Sequence, residues 1–145
     1  MEDQTRQAEG ITQLYCQRLR AFSRLSSLLF TSGEDSVLLC LITHEGTLLS
    51  GDIMALTGLT SGRVANILRQ LEAKKWILRL QDASDKRKVH VHLTDAGQKQ
   101  SEKVLLHTRA NHQKMVQYLR HDEAQQMLLL LEHLSACLDA SAFLV

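Results

Sequence analysis

No proline stands anywhere in the 145 residues. No position therefore locks φ or withholds a backbone N–H, and a helix begun in this chain meets no interruption of that kind. Apolar residues recur every three or four positions over most of the length. Ile11, Leu14, Tyr15, Leu19, Phe22, Leu25 and Leu29 make one such stripe, which predicts a single long helix over residues 4–30. After Thr31-Ser32-Gly33, the run Ser32-Gly33-Glu34-Asp35 matches a capping box with Ser32 as N-cap. The short helix that follows carries Val37, Leu38, Leu39, Cys40, Leu41 and Ile42, apolar nearly all round and so expected to be buried. It ends at His44-Glu45-Gly46.

Thr47-Leu48-Leu49 reads as a brief extended segment. Ser50 is placed to cap a small helix holding Ile53, Met54 and Leu56, and Gly58 suits its left-handed exit. Thr60 or Ser61 caps the next helix, which runs to about Lys74. Val64, Ile67, Leu68 and Leu71 form its inner stripe, with Gly62, Arg63, Asn66, Arg69 and Gln70 outside. The period then changes. Ile77 to Leu80 reads as a strand, residues 81–87 as polar turn material, and Val89-His90-Val91-His92-Leu93 as a strictly alternating strand. Thr94 caps a helix running to about Leu119. Asp122-Glu123 opens a last helix with Met127, Leu128, Leu131, Leu134, Cys137 and Leu138 along one side, which places Cys40 and Cys137 in apolar stripes.

Charge sharpens this outline. The whole chain is near neutral at +1, but residues 60–90 hold eight basic residues (Arg63, Arg69, Lys74, Lys75, Arg79, Lys86, Arg87, Lys88) against Glu72, Asp82 and Asp85, a local +5. A neutral protein with a basic middle third has a candidate site for a polyanion, and charge alone reads equally as a solvated face. Two short helices joined by a tight turn at Gly58-Leu59-Thr60 make a helix-turn-helix. The second has small residues at its start and polar or basic ones outside, as entry into a major groove requires. The basic hairpin tip after it suits phosphates or a minor groove. The fold class is therefore mainly α with a small β-hairpin wing: a winged helix-turn-helix flanked by long helices.

Leu59-Thr60-Ser61-Gly62-Arg63-Val64-Ala65-Asn66-Ile67-Leu68-Arg69-Gln70-Leu71-Glu72, then Asp82-Ala83-Ser84-Asp85-Lys86-Arg87-Lys88-Val89 and Leu93-Thr94-Asp95-Ala96-Gly97, resemble the recognition helix, wing and exit of the MarR family of bacterial transcription regulators. The likeness covers roughly residues 36–98 in sequence, and the flanking helices in length and periodicity. It implies that Arg87 enters a minor groove with Asp85 as its support. The chain departs from many members at Ser61, where proline is common, and at Asn66, where arginine is. Base preference therefore does not transfer. Asn66 suits an adenine edge, and Arg63 or Arg69 a guanine. The expected DNA-binding set is Thr60, Ser61, Gly62, Arg63, Asn66, Arg69, Lys74, Lys75, Asp85, Lys86, Arg87 and Lys88. Lys74, Lys75, Lys86 and Lys88 supply phosphate contacts.

The resemblance also implies a homodimer in which the first and last helices intertwine. That agrees with the apolar stripes in residues 4–30 and 122–142, which the rest of a chain this short has little means to cover. The division expected is residues 1–31 as an N-terminal dimerisation helix, 32–96 as the winged helix-turn-helix, and 97–145 as the C-terminal helices completing the dimer. Double-stranded DNA and a second copy are the expected partners, and a pseudo-palindromic operator the expected target.

Relatives respond to small phenolic ligands, oxidants or metals, so a small-molecule effector or zinc is considered, with no cofactor required. Cys16 on the first helix is the redox candidate. His44, Glu45, His107 and His112 are the metal candidates, although His107 and His112, five apart, lie about 140° apart around a helix. Cys16, Cys40 and Cys137 are too far apart for a disulfide framework or zinc knuckle. No phosphate-binding glycine loop, paired carboxylates or H-E-x-x-H motif points to an enzyme. The N-terminal Met1-Glu2-Asp3-Gln4-Thr5 is unlike a secretory signal, and no stretch is apolar enough to cross a membrane, so a cytoplasmic location is expected. The competing reading is a winged-helix module that binds protein, for which the basic patch would be incidental.

Overall fold

The computed structural model describes residues 2–29 and 31–140. Two helices, α1 (Glu2–Gln17) and α2 (Leu19–Leu29), stand where the stripe predicted one. At their join the Arg18 N–H is shared between the carbonyls of Leu14 (3.0 Å) and Tyr15 (3.2 Å), and the Ala21 N–H bonds Arg18 O at 2.8 Å. The ladder tightens there to a 3₁₀-type turn, a change of winding that leaves the apolar spacing intact and so leaves no mark in the pattern. Residue 30, the end of the predicted helix, and the side chains of Phe22 and Leu138 in the predicted stripes lie outside the described residues.

The middle of the chain forms the body. Ser32 caps α3 (Gly33–Thr43), its Oγ accepting the Asp35 N–H at 3.2 Å. β1 (Thr47–Leu49) leads directly into α4 (Ser50–Thr57). Ser50 does not cap this helix, contrary to expectation. Leu49 is still paired with His90, so Leu49 is the last extended residue and Ser50 is already helical. Gly58 ends α4 in the left-handed region (φ 65°), where a Cβ would be strained. α5 (Ser61–Ala73) follows, then β2 (Ile77–Gln81) and β3 (Val89–Leu93). The sheet has three antiparallel strands in the order β1-β3-β2, so the segment at Thr47–Leu49 joins the hairpin as a third strand.

Val37, Leu38 and Leu41 of α3, Ile53 of α4, and Val64, Ile67, Leu68 and Leu71 of α5 meet Ile77, Val91 and Val104 in one buried core. Burying an aliphatic side chain of this size contributes about 1.5–3 kcal/mol. The inner stripe of α5 supplies four of these, which seats that helix with its polar side outward.

α6 (Asp95–Val116) ends one turn before Leu119, the predicted limit, and α7 (His121–Ala140) follows. Thr94 joins α6 to the wing. Its Oγ1 accepts the Gly97 N–H at 3.0 Å and donates to Lys75 O at 2.7 Å, while its own N–H donates to Trp76 O at 3.0 Å. A Cβ on Gly97 would lie 1.8 Å from that Trp76 oxygen, so only glycine allows this approach.

The flanking stripes remain open. Ile11 is 68% exposed and Leu128 59%, and Leu14, Leu19, Leu129, Leu130, Leu131 and Leu134 are exposed as well. Cys137, placed by the sequence in an apolar stripe, is exposed on α7, a side that no described residue of its own chain covers. Cys40 is half-buried, and burial pushes its thiol pKa up. No helix among the described residues is long and apolar enough to cross a membrane.

Candidate nucleic-acid interface

α5 presents Ser61, Gly62, Arg63, Asn66, Arg69 and Gln70 to solvent, opposite its four core residues. Thr60 is the N-cap but makes no side-chain capping bond, so the leading N–H groups of α5 lack that internal acceptor. Such a helix start suits an anionic oxygen. The Arg69 guanidinium reaches Asn66 Oδ1 at 3.5 Å and Ala65 O at 3.4 Å, two long bonds that keep Arg69 beside Asn66. The Arg63 guanidinium lies against the start of α3: a Cβ built on Gly33 would be 3.7 Å from its Nε.

The basic excess is not spread evenly. Lys74 Nζ donates to both Glu34 carboxylate oxygens (2.6 and 2.9 Å) and sits 4.9 Å from the centre of a Trp76 ring. The structure thus gives Lys74, expected on phosphate, an acid partner that ties the end of α5 to α3. Arg79 is paired with Glu72 in the same way. Among the described residues, Arg63, Arg69, Lys75, Lys86, Arg87 and Lys88 make no ion pair, and all six are exposed. Lys75 adopts a left-handed φ of 58° as the chain turns from α5 toward β2. Its carbonyl is the one held by Thr94.

The loop between β2 and β3 carries Lys86, Arg87 and Lys88 at its tip. Asp85 Oδ1 accepts the backbone N–H of Arg87 at 3.0 Å, so Asp85 steadies Arg87 through the main chain. Two residues outside the expected set do more of the holding. Asp82 Oδ1 accepts from Ser84 N–H (2.8 Å), Ser84 Oγ (2.5 Å) and Asp85 N–H (2.9 Å). Asp82 Oδ2 accepts from His90 Nε2 at 2.9 Å. The Ser84 hydroxyl, then His90, then the two N–H groups hold the Asp82 carboxyl well below the usual carboxylate range. An aspartate opening a polar turn was a visible sign of self-capping. Its bond to His90, eight residues on, needed the hairpin register.

The sensing candidates are dispersed. Cys16 is exposed on α1. His44 is turned back on its own helix, with Nδ1 2.8 Å from Cys40 O, and Glu45 follows it at a positive φ of 57°. His112 lines an open cleft of about 800 Å³ with Arg109 and Val116. His107 lines a different one of about 190 Å³ with Asp35 and Asn111. Their separation around α6 follows from the five-residue spacing. The four proposed ligands do not assemble within one chain, and among the described residues no group of three or more His, Cys, Asp or Glu is arranged to hold a metal. A larger open cleft of about 900 Å³ lies between α1, α2 and the end of α6, with Leu25, Leu28 and Met115 beside Arg18, Arg20 and Arg24.

Comparison with known proteins gives a consistent picture. Residues 30–89 match the model of the MarR family. Over 74 residues the chain is 34% identical to the uncharacterized HTH-type transcriptional regulator YkoM of Bacillus subtilis (strain 168), a match that takes in 51% of this chain and spans about half (48%) of that protein's length. The fold resembles MepR of S. aureus in its complex with DNA: TM-score 0.66, 29% identity, over 90% of this chain and 91% of that one. It also resembles a mutant of MarR from E. coli complexed with operator DNA: TM-score 0.63, 26% identity, over 88% and 91%.

Proposed function

We propose that this chain, whose residues 30–89 match the MarR family model, is a transcription repressor of that family that binds a pseudo-palindromic operator as a homodimer. One observation carries this reading. Among the described residues, the exposed cations of the basic third that make no ion pair are Arg63 and Arg69 on the outer side of α5, Lys86, Arg87 and Lys88 at the tip of the wing, and Lys75 at the turn after α5, where a duplex would meet helix and wing together. Lys74 and Arg79, the two held by acids, serve the scaffold instead.

In this reading residues 32–96 contact DNA. Arg63, Asn66 and Arg69 meet base edges in the major groove, with Thr60, Ser61 and Gly62 at the point of closest approach. Arg87 reaches into the minor groove. Lys75, Lys86 and Lys88 neutralise phosphates, with Lys74 at the margin of that set. The flanking stripes of residues 1–31 and 97–145 pack on those of a second copy. Two-fold symmetry then presents two reading heads to half-sites about 10 base pairs apart. The cleft between α1, α2 and α6 is where a small-molecule effector would act on the spacing of the heads.

The test is selection from randomised duplexes by the purified protein near physiological salt, followed by sequencing. The expected result is a palindrome with half-sites one helical turn apart. Arg87→Ala should then lose about 1–3 kcal/mol of binding to the selected site. A pool with no enrichment, or unchanged affinity in Arg87→Ala, refutes the assignment. Repeating the selection with zinc and with reductant shows whether a metal or a cysteine modulates it.

A further inference from the structure

Residues 82–88 leave the sheet with no buried side chain among them. Packing cannot hold the tip of the wing in place, so hydrogen bonds must. They form a connected chain. His90 Nε2 donates to Asp82 Oδ2 (2.9 Å), and Asp82 Oδ1 receives the Ser84 and Asp85 N–H groups (2.8 and 2.9 Å). Asp85 Oδ1 in turn receives the Arg87 N–H (3.0 Å), and the loop is closed by Asp82 N–H to Lys88 O (3.0 Å) and Lys88 N–H to Asp85 O (2.8 Å).

The base of this chain is itself fixed. The alternation of β3 buries Val91 and leaves His90 and His92 on the other side of the sheet, with ring centres 6.1 Å apart and planes at 24°. His92 Nδ1 lies 3.0 Å from Thr47 Oγ1 on β1, so the run of contacts ends on the opposite strand. Arg87 itself makes no ion pair among the described residues. Its position is set by its main chain, and the main chain is set by two aspartates. The first of these is oriented by an imidazole. Holding the loop in its bound shape beforehand spares the ordering that binding would otherwise require.

We propose that Asp82 and His90 are positioning residues for DNA binding: the His90 imidazole fixes the Asp82 carboxylate, which clamps the wing loop and sets where Arg87 stands. This rests on the reading of the wing as a DNA contact. Neither residue needs to touch DNA for the effect.

The test measures affinity for the selected duplex with His90→Leu, His90→Gln and Asp82→Ala, each alone and combined with Arg87→Ala. Leucine removes the donor, whereas glutamine keeps an N–H able to reach the carboxylate. His90→Leu and Asp82→Ala should each weaken binding roughly tenfold, the scale of one charged hydrogen bond. His90→Gln should return affinity to within about twofold, and in the Arg87→Ala background each change should cost under about twofold, because coupled residues are not additive. Equal losses in both backgrounds, or equal behaviour of leucine and glutamine, overturn the proposal. If Arg87→Ala leaves binding intact, the DNA reading of the wing fails instead. Hydrogen exchange of the Ser84, Asp85 and Arg87 amides in the free protein then decides on the clamp. Faster exchange in His90→Leu, restored in His90→Gln, supports it; unchanged exchange in His90→Leu overturns it.

Discussion

At the scale of single residues, Asp82 shows how a surface carboxylate acquires structural weight. One oxygen takes three donors and the other takes His90. These bonds favour the ionised form, so the folded-state pKa lies below the unfolded one. The sign follows: the stabilisation of the loop is complete above the ordinary aspartate range near pH 4 and is lost as pH falls below it. The Asp82 carboxyl should therefore titrate at lower pH in the protein than in a peptide of residues 80–91, as followed by carbon NMR. A titration identical in the two would remove the clamp. The residues read correctly from pattern were those whose role is local. Ser32 and Thr94 cap as expected because the bond spans three residues. The roles of Asp82 and Lys74 were not legible, because their partners sit across a hairpin and forty positions away.

At the scale of elements, the joint between wing and α6 is the most demanding contact in the body. Thr94 binds both the helix it caps and the Lys75 carbonyl, and Gly97 lets the helix backbone approach Trp76 O. The oxygen that Gly97 faces is main chain and already bonded to Thr94, so no side chain can swing aside. Gly97→Ala should lower the free energy of urea unfolding by about 1–3 kcal/mol or more. A midpoint equal to that of the parent would mean the joint is looser than drawn. The Leu-Thr-Asp-Ala-Gly run of residues 93–97 resembles the family's exit from the wing by its spacing, and its physical content is this contact. The same scale holds the clearest misreadings. α1 and α2 share one stripe but not one ladder, and Ser50 loses its capping role because pairing with β3 carries the extended backbone through Leu49.

At the scale of the molecule, the body has a core, whereas α1 and α7 hold no buried side chain among the described residues. Leucines along α7 and apolar residues along α1 face solvent in a single chain. On the dimer reading each is buried twice by symmetry. Leu131→Glu should then remove about 3–6 kcal/mol from association, since burying one leucine contributes about 1.5–3 kcal/mol and the change occurs in both copies. Sedimentation equilibrium should show the parent as a dimer and the variant as a monomer, with loss of tight operator binding. A monomeric parent, or a variant that still dimerises, contradicts the assembly.

Periodicity, capping and turn chemistry are short-range physics, repeated every two to four residues, and a single chain written in order displays them. They gave the helices, the hairpin, the exposed side of α5 and the basic tip. Three-dimensional closure settled matters of another kind. It chose which cations are matched by acids, drew β1 into the wing's sheet, and set His90 beneath Asp82. Each of these depends on residues brought together by the packing of the core, and spacing along the chain does not encode that packing.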